Sequence, residues 1–318
     1  MDKKWGFLFP GQGAQYPGMA KDFYEQFSVA KEVFEEADSI LKMPFSRLIF
    51  EGPASELTLT KNSQVGIYIA SIAILRTLQH NFPDVQPIVC AGLSLGEYTA
   101  LTAAQKISFE DCLKLVRSRA LYMHEACEQN KGGMQVILGL EADVVEAVVQ
   151  ELGSASNVWV ANLNCPGQVV IAGTQEGMDL AVLALKAKGA KRALALDVSG
   201  AFHSGLMHVA QQRLAAEILS TPLSQSAIQL VMNVPGDYVS DVNAMRGFLI
   251  DQVASPVRWE KGMRAMMAQE VEGYIEMGPG KTLAGMNKRI GVSQPTLSIE
   301  KVSDLEEFPK WMETLCNC

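Results

Sequence analysis

A serine stands between two glycines at the point where a short apolar run gives way to good helix formers. Ser94 is the centre of the segment GLSLG at residues 92–96, with PIVCA before it and EYTALTAA after it. This arrangement is typical of a nucleophile elbow, a sharp strand-to-helix turn that exposes the serine hydroxyl and leaves no room for a Cβ on either side. The free N–H groups at the helix start would face an oxyanion formed during acyl transfer. The motif alone makes Ser94 a candidate nucleophile and leaves an ordinary strand-to-helix turn as the alternative.

A serine nucleophile needs a base, and histidine is the usual one. The chain has four histidines. His203 is framed by glycines in the segment SGAFHSG at residues 199–205, at the predicted start of a helix, and we favour it as the general base. A structural role is favoured for His80 at a helix end, for His124 beside an apolar stripe and for His208 on an ordinary helical surface.

Arg119 falls on the apolar face of a predicted helix. Helical spacing aligns it with Cys112, Val116 and Met123. A guanidinium on a buried face needs a partner, because an unpaired buried charge is costly. The pattern alone favours a salt bridge to a carboxylate elsewhere in the fold. The alternative is a fork that binds a substrate carboxylate through two hydrogen bonds.

Two further glycine-containing segments complete no known phosphate-binding motif. FPGQGAQYPG at residues 9–18 lacks the Lys-Ser/Thr pair of a phosphate loop and the spacing of a dinucleotide fingerprint, but its backbone N–H groups could serve an oxyanion. EMGPGKTL at residues 276–283 is a strand-to-helix turn. The sequence has no metal-ligand cluster and no two pairs of cysteines at zinc-site spacing, so we expect neither metal nor cofactor. Acyl transfer without a cofactor is the simplest chemistry left.

Length and composition limit the class of protein. A chain of 318 residues with 48% hydrophobic and 19% charged residues suits a globular protein with one large and one smaller domain. The net charge of −8 argues against general affinity for nucleic acid or anionic membranes. The longest apolar run, at residues 65–75, is shorter than the roughly 18 residues of a membrane span, and the N-terminus lacks the features of a signal peptide. We therefore expect a cytoplasmic protein, and a monomer because no long heptad pattern occurs.

The periodicity of apolar residues predicts an α/β fold. Strand-like runs alternate with long helical patterns in the first and last thirds of the chain, which predicts a largely parallel sheet with helices on both faces. These runs are at residues 5–9, 88–91, 228–232 and 273–276.

The middle third of the chain has a different order of elements. Its pattern is β-α-β-β-α-β, which is the ferredoxin-like arrangement. We therefore predict a small domain at residues 131–199, inserted into a large domain formed by residues 1–130 and 200–318. The cleft between two such domains is a common ligand site.

Six blocks in a fixed order resemble the malonyl-CoA:acyl carrier protein transacylases, the acyltransferase family of fatty-acid and polyketide synthesis. The ordered set extends from residue 9 to residue 283 and is far more specific than any single block. The blocks are FPGQGAQ at residues 9–15, GLSLGE at 92–97, Arg119 in its helix, ANLNCPGQVVIAG at 161–173, GAFHS at 200–204 and GPGKTL at 278–283. The fold that this resemblance implies is a hydrolase-like α/β domain with a ferredoxin-like insert, in agreement with the predicted elements.

The resemblance implies a role for each residue that matches the family's motifs. Ser94 would be the nucleophile and His203 its general base. The backbone N–H groups of Gln12 and Leu95 would form the oxyanion hole. Arg119 would bind the malonyl carboxylate, which reverses the preference for a salt bridge that its pattern alone supports.

Further positions carry over from the same resemblance. Gln64, Asn162 and Phe202 match positions near the substrate, and a bulky residue such as Phe202 is associated with malonyl rather than methylmalonyl groups. The family orients its histidine by a backbone carbonyl, and the segment around Arg258 resembles that region. The chain departs from the commonest pattern at Leu93, where many members have His, and at Arg258, where many have Gln.

The resemblance also implies a reaction and its partners. Malonyl-CoA would be a substrate and acyl carrier protein the acceptor, in a ping-pong transfer through an acyl-enzyme on Ser94, without a cofactor. Because the carrier protein is acidic, we expect it to dock on two basic clusters. These comprise Lys186, Lys188, Lys191, Arg192, Lys288 and Arg289. The alternatives are a serine hydrolase or thioesterase with the same Ser-His pair, a polyketide acyltransferase acting in trans, and a non-catalytic scaffold.

Overall fold

The computed structural model describes residues 3–316 of the chain, which contain ten strands and fourteen α-helices. The strands are β1 (Trp5–Phe9), β2 (Pro87–Gly92), β3 (Gly133–Leu138), β4 (Val158–Cys165), β5 (Gln168–Gly173), β6 (Arg192–Ala195), β7 (Gln229–Met232), β8 (Asp237–Tyr238), β9 (Gly273–Met277) and β10 (Thr296–Ile299). The helices are α1 (Lys21–Gln26), α2 (Ser28–Leu41), α3 (Phe45–Glu51), α4 (Ala54–Thr58), α5 (Thr60–Asn81), α6 (Gly96–Ala103), α7 (Phe109–Gln129), α8 (Ala142–Leu152), α9 (Gln175–Ala187), α10 (His208–Ser220), α11 (Val242–Gln252), α12 (Trp259–Met267), α13 (Thr282–Ile290) and α14 (Val302–Cys316).

The larger sheet has six strands in the order β10-β9-β1-β2-β7-β8. Neighbouring strands from β10 to β7 pair in parallel, whereas the short β8 pairs antiparallel with β7. All five residues of β1 are buried, as expected for a central strand that is covered on both faces. The predicted α/β class, with a largely parallel sheet, is confirmed.

Alternate residues of β1 enter two different parts of the core. Phe7 and Phe9 pack in the cluster that contains the apolar side chains of α5, whereas Leu8 packs in the cluster that contains those of α12 and α13. Because successive side chains of a strand point to opposite faces, helices cover both faces of the sheet. The apolar run at residues 65–75 belongs to α5 and is buried in the first cluster. Within residues 3–316, no helix has the length and apolar character needed to cross a membrane.

The middle of the chain forms a separate antiparallel sheet in the order β4-β5-β3-β6. With α8 and α9 it has the predicted order β-α-β-β-α-β, and these elements lie inside the predicted insert at residues 131–199. The domain boundaries themselves remain a prediction. One element differs: the apolar pattern predicts a strand over residues 158–162, whereas β4 continues to Cys165. Because Cys165 pairs with Gln168, only two residues are left for the turn, and Gly167 in that turn has a φ of 71°.

Candidate active site

The strand-to-helix turn after β2 holds Ser94 in a left-handed conformation with a φ of 54°. The glycines around it are required by close backbone packing. A Cβ on Gly92 would lie 2.0 Å from the carbonyl carbon of Gly96, and a Cβ on Gly96 would lie 2.1 Å from the carbonyl oxygen of Phe9. No side chain fits at either position, so the turn has the geometry of a nucleophile elbow.

The imidazole of His203 faces the hydroxyl of Ser94. The Nε2 atom of His203 lies 2.8 Å from Ser94 Oγ, and its Nδ1 atom lies 2.8 Å from the main-chain oxygen of Gln252. A carbonyl oxygen only accepts, so Nδ1 carries the proton and the lone pair of Nε2 faces Ser94. Burial, together with the positive charge of Arg119, lowers the pKa of His203 from 6.5 to about 4. The imidazole is therefore neutral at neutral pH, as a general base must be.

The carbonyl oxygen at 2.8 Å from His203 Nδ1 belongs to Gln252 and not to Arg258, the residue that marks the predicted His-orienting segment. Arg258 instead donates from Nη1 to Oε1 of Glu146 on α8, over 3.0 Å. Gln252 is the last residue of α11, where carbonyl groups lack an intrahelical partner and are free to accept from a side chain. A helix that ends shortly before Pro256 is a signal in the sequence from which Gln252 could have been found.

Arg119 is 1% exposed and is held by neutral groups. Its Nη1 donates to Oε1 of Gln64, and its Nη2 donates to Oε1 of Gln252 over 2.9 Å and to Ser94 Oγ over 3.1 Å. Its guanidinium also lies over the ring of Tyr98, with 5.2 Å between the Cζ atom and the ring centroid.

The salt bridge that the pattern alone favours for Arg119 does not form. Over residues 3–316, no carboxylate lies within 4.0 Å of its guanidinium nitrogens, and its Nε atom has no hydrogen-bond partner. Burial lowers the pKa of Arg119 because desolvation disfavours the charged form. A buried cation with neutral partners beside a candidate nucleophile is suited to an anionic ligand.

Two buried polar residues near Ser94 have no assigned role in the sequence analysis. Asn233 follows β7; its Oδ1 accepts from the backbone N–H of Ser94 over 2.7 Å, and its Nδ2 donates to the carbonyl oxygen of Gly92 over 2.7 Å. Glu97, in the first turn of α6, is fully buried. Burial raises its pKa to about 8, and hydrogen bonds from Asn233 and Gln252 and the charge of Arg119 oppose that rise. Glu97 is the last residue of the GLSLGE block, so family resemblance points to its position, but the sequence does not predict its hydrogen-bond partners.

A cavity of about 190 Å³ opens above Ser94 and His203, between the two sheets. Gln64, Asn162 and Phe202 line it, as do residues of α13 and the small sheet. Arg119 is not among the lining residues and lies behind the cavity wall, in contact with Ser94 and Gln64. The lining includes Gln12, Gln64, Leu93, Met123, Met134, Asn162, Asn164, Val170, Phe202, Thr282 and Met286. Asn162 and Asn164 both lie on β4 and both line the cavity, although the register of β4 shifts between Leu163 and Cys165.

The backbone N–H groups of Gln12 and Leu95 are the predicted oxyanion-hole donors. Leu95 immediately precedes α6, and Gln12 lies in the loop after β1. Among the described residues, neither N–H donates a hydrogen bond to the protein. Backbone donors without a partner in the protein are the groups from which oxyanion holes are built.

The six basic residues of the two predicted clusters are all exposed, and none forms an ion pair within residues 3–316. Arg289 on α13 donates from Nη1 to Oε1 of Gln168 over 3.5 Å. Gln168 pairs with Leu138, which in turn pairs with Arg192 at the edge of the small sheet. Arg289 therefore lies at the same end of that sheet as Arg192 and its neighbour Lys191.

No group of three potential metal ligands occurs in the described part of the chain.

Several acyltransferases resemble this chain over nearly its whole length. Residues 6–312 match the family described as "Acyl transferase domain". A "Malonyl CoA-acyl carrier protein transacylase" of Bacillus subtilis (strain 168) is 42% identical, covering 98% of this chain and 97% of the relative. The crystal structure of an acyl-carrier-protein S-malonyltransferase from Burkholderia pseudomallei 1710b aligns with a TM-score of 0.91 at 42% identity, over 96% of this chain and 99% of that chain.

A third relative is a complex. A malonyl-transacylase solved with its type II polyketide synthase acyl-carrier protein aligns with a TM-score of 0.91 at 35% identity, over 96% of this chain and 98% of that one.

Proposed function

The chain belongs to the acyl transferase domain family, and from that premise we propose that it is an acyl-carrier-protein S-malonyltransferase. It moves a malonyl group from coenzyme A to the phosphopantetheine thiol of acyl carrier protein. The observation that carries this proposal is the pair of contacts at Ser94 Oγ, with His203 Nε2 at 2.8 Å and Arg119 Nη2 at 3.1 Å. A nucleophile, its base and a carboxylate-binding cation thus meet at one atom.

In the first half-reaction, Ser94 Oγ attacks the thioester carbon of malonyl-CoA while His203 Nε2 takes the hydroxyl proton. The N–H groups of Gln12 and Leu95 stabilise the resulting oxyanion. The carbon–sulfur bond then breaks, and the coenzyme A thiolate takes the proton from His203. The product is a malonyl ester on Ser94 with neutral His203 restored.

In the second half-reaction, the phosphopantetheine thiol of the carrier protein occupies the place that coenzyme A has left. His203 takes the thiol proton, and the sulfur attacks the ester carbon. The same N–H groups stabilise the second oxyanion. The carbon–oxygen bond breaks, His203 returns the proton to Ser94 Oγ, and malonyl acyl carrier protein leaves, which makes the cycle ping-pong.

Selection of a carboxylated acyl group follows from the setting of Arg119. A malonyl carboxylate supplies the negative partner that this buried guanidinium lacks, and an acetyl group does not. Leaving a buried cation unpaired costs about 3–5 kcal/mol, equivalent to about two to four orders of magnitude in rate. Gln64 holds the other side of the guanidinium, and Phe202 and Asn162 bound the space around the acyl group.

The carrier protein docks on the basic surface formed by the six exposed residues described above. Their lack of ion pairs within residues 3–316 leaves their charges to an acidic partner. Which biosynthetic pathway receives the malonyl group depends on which acyl carrier protein accepts it. Fatty-acid biosynthesis is the proposed pathway, and transfer to a polyketide carrier protein is the alternative, as in the relative solved with such a protein.

The reaction needs no cofactor, since the described residues supply nucleophile, base and cation. Four buried cysteines are free thiols, which suits the reducing conditions of the cytoplasm. We place the enzyme there and expect it to act as a monomer.

Intact-protein mass after brief mixing with malonyl-CoA tests the proposal. We expect a malonyl-sized adduct that is absent from Ser94→Ala, scarce with acetyl-CoA, and discharged by holo acyl carrier protein with formation of malonyl carrier protein. Steady release of free malonate without transfer would indicate a hydrolase instead. The absence of both adduct and malonate would contradict the assignment of the nucleophile or of the substrate.

A further inference from the structure

Glu97 has a buried side-chain carboxyl group that forms no ion pair. It is fully buried, and within residues 3–316 no cationic nitrogen lies within 4.0 Å of its oxygens. Its two oxygens face different donors: Oε2 accepts from the backbone N–H of Asn233, and Oε1 accepts from Nε2 of Gln252 over 3.0 Å. Burying a carboxyl group is unfavourable unless both of its oxygens are hydrogen-bonded, as they are here. A buried group of this kind beside Ser94 suggests a role in the site.

Gln252 connects Glu97 to both halves of the active site. Its main-chain oxygen holds His203, as described above, and its side-chain Oε1 holds Arg119 over 2.9 Å. Its Nε2 donates to the carbonyl oxygen of Ser94 over 2.9 Å and to Oε1 of Glu97, with a longer contact of 3.4 Å to Oδ1 of Asn233. The side-chain amide therefore has one favourable orientation. Turned over, its NH₂ group would face the Arg119 guanidinium and its oxygen would face three acceptors.

We propose that Glu97 is a positioning residue for acyl-group selectivity, because it fixes the side-chain amide of Gln252 in the orientation that holds Arg119 ready for a substrate carboxylate. This inference rests on the proposed function. It separates two roles of Gln252: the main-chain carbonyl serves the base, which every acyl group needs, and the side-chain amide serves Arg119, which only a carboxylated acyl group needs. Glu97 acts on the second role.

The substitution Glu97→Gln isolates this role. The backbone N–H of Asn233 is fixed in place, so the oxygen of the new amide keeps that contact and its NH₂ group faces Gln252. Two NH₂ groups then oppose each other, so the Gln252 amide loses its acceptor at Glu97 and is pushed out of the position in which its oxygen holds Arg119. We expect the rate constant for malonyl transfer to Ser94 to fall about tenfold or more, and that for acetyl transfer to change by less than about threefold.

Glu276→Gln is the matched control. Glu276 is also fully buried and also accepts from backbone N–H groups, those of Leu283 and Ala284, but it has no contact with Gln252 or Arg119. Burial raises the pKa of both carboxyl groups. We expect Glu276→Gln to lower the melting temperature and to leave the ratio of malonyl to acetyl rate constants unchanged. An equal loss of both rates in Glu97→Gln would show a merely structural role and overturn the proposal.

Gln252→Met provides a second test that does not depend on the folding of Glu97→Gln. It removes the amide but keeps the main-chain carbonyl for His203, so we expect malonyl transfer to fall by a larger factor than acetyl transfer, which loses only the contact of the amide with the Ser94 carbonyl. The double variant of Glu97→Gln and Gln252→Met should lose no more selectivity than Gln252→Met alone. A retained preference in Gln252→Met, or losses that multiply in the double variant, would overturn the proposal. Wild-type protein that takes neither acyl group on Ser94 would contradict the proposed function itself.

Discussion

The guanidinium Nη2 of Arg119 lies 3.1 Å from the hydroxyl oxygen of Ser94. An acyl group bonded to that oxygen starts beside the cation. In a malonyl ester a single methylene separates the ester carbon from the free carboxylate, so the carboxylate falls within reach of the same guanidinium. Formation of the acyl-enzyme and recognition of its charge therefore take place in one small space.

Replacing Arg119 with Met should separate recognition from chemistry. We expect malonyl transfer to Ser94 to slow by about two to four orders of magnitude, because the carboxylate would enter a buried site without a cation. Acetyl transfer should change little, since Ser94 and His203 keep their contact. Rapid-quench mass spectrometry with each acyl-CoA measures both rates. Arg117→Met, on the same helix, is the control, because Arg117 donates to the carbonyl oxygen of Lys61 and not to Ser94. Equal losses with both acyl groups would contradict the assignment.

The pH dependence of acylation should report the lowered pKa of His203. A general base works when it is unprotonated, so a pKa of about 4 keeps His203 active well below its usual value of 6.5. We expect the rate of acetyl transfer to Ser94 to stay level from neutral pH to about pH 5 and to fall below it, with circular dichroism confirming the fold at each pH. In Arg119→Met the fall should begin at higher pH, because one cause of the lowering is removed. A wild-type midpoint near 6.5 would refute this account.

The elbow should tolerate no side chain at Gly92. A Cβ there would lie 2.0 Å from the backbone of Gly96, so Gly92→Ala forces the turn apart. We expect a loss of about 2–4 kcal/mol in the free energy of unfolding, measured by urea denaturation, together with loss of acylation. Gly285→Ala is the control: its Cβ would meet nothing within 4 Å, and it should stabilise α13 by about 0.5–1 kcal/mol. Full activity in Gly92→Ala would mean that the turn is not packed as closely as described.

Phe202 should limit the branching of the acyl group. It lines the cavity beside His203 and is 6% exposed. We expect Phe202→Val to raise the ratio of methylmalonyl to malonyl transfer at least about tenfold, because space for one methyl group is worth about 1–3 kcal/mol. Competition between the two acyl-CoA molecules, read by adduct mass, measures this ratio. Val170→Ala enlarges the cavity at the small sheet instead, and an equal rise there would show that the effect is not specific to Phe202.

Charge reversal on the basic surface should affect the carrier protein alone. We expect the triple change of Lys191, Arg192 and Arg289 to Glu to raise the KM for carrier protein about tenfold or more. Complementary charges speed the association of two proteins, and the reversed charges would repel an acidic carrier protein. The rate of malonyl transfer from coenzyme A to Ser94 should stay within about twofold. The same triple reversal at exposed positions on α1, α2 and α14 (Lys21, Lys31 and Lys310) controls for net charge. An equal slowing of the first half-reaction would exclude this docking surface.

Residues whose role depends on local chain geometry were predictable from the sequence. Gly92 and Gly96 around Ser94 indicate the elbow, because only a close-packed turn requires two residues without a Cβ at that spacing. Alternation of apolar residues predicted the strands and the insert, since it reflects which face of each element is buried. The ordered blocks added His203 and Arg119 through family resemblance.

Contacts between distant segments were not predictable in this way. Arg119 was assigned a salt bridge by pattern alone, and the carbonyl that holds His203 was placed near Arg258 instead of at Gln252. In each case the partner lies far along the chain, and several polar residues compete for the same role until packing selects one. Asn233 and Glu97 are further examples, because nothing in their own neighbourhoods shows that they hold the elbow and Gln252.

The sequence by itself thus determined the α/β fold, the turn at Ser94 and the family, because these follow from the periodicity, glycine spacing and motif order of neighbouring residues. The tertiary structure decided which partners Ser94, His203 and Arg119 have. Hydrogen bonds and desolvation depend on atoms brought within about 3 Å from separate elements, and that proximity exists only in the folded chain.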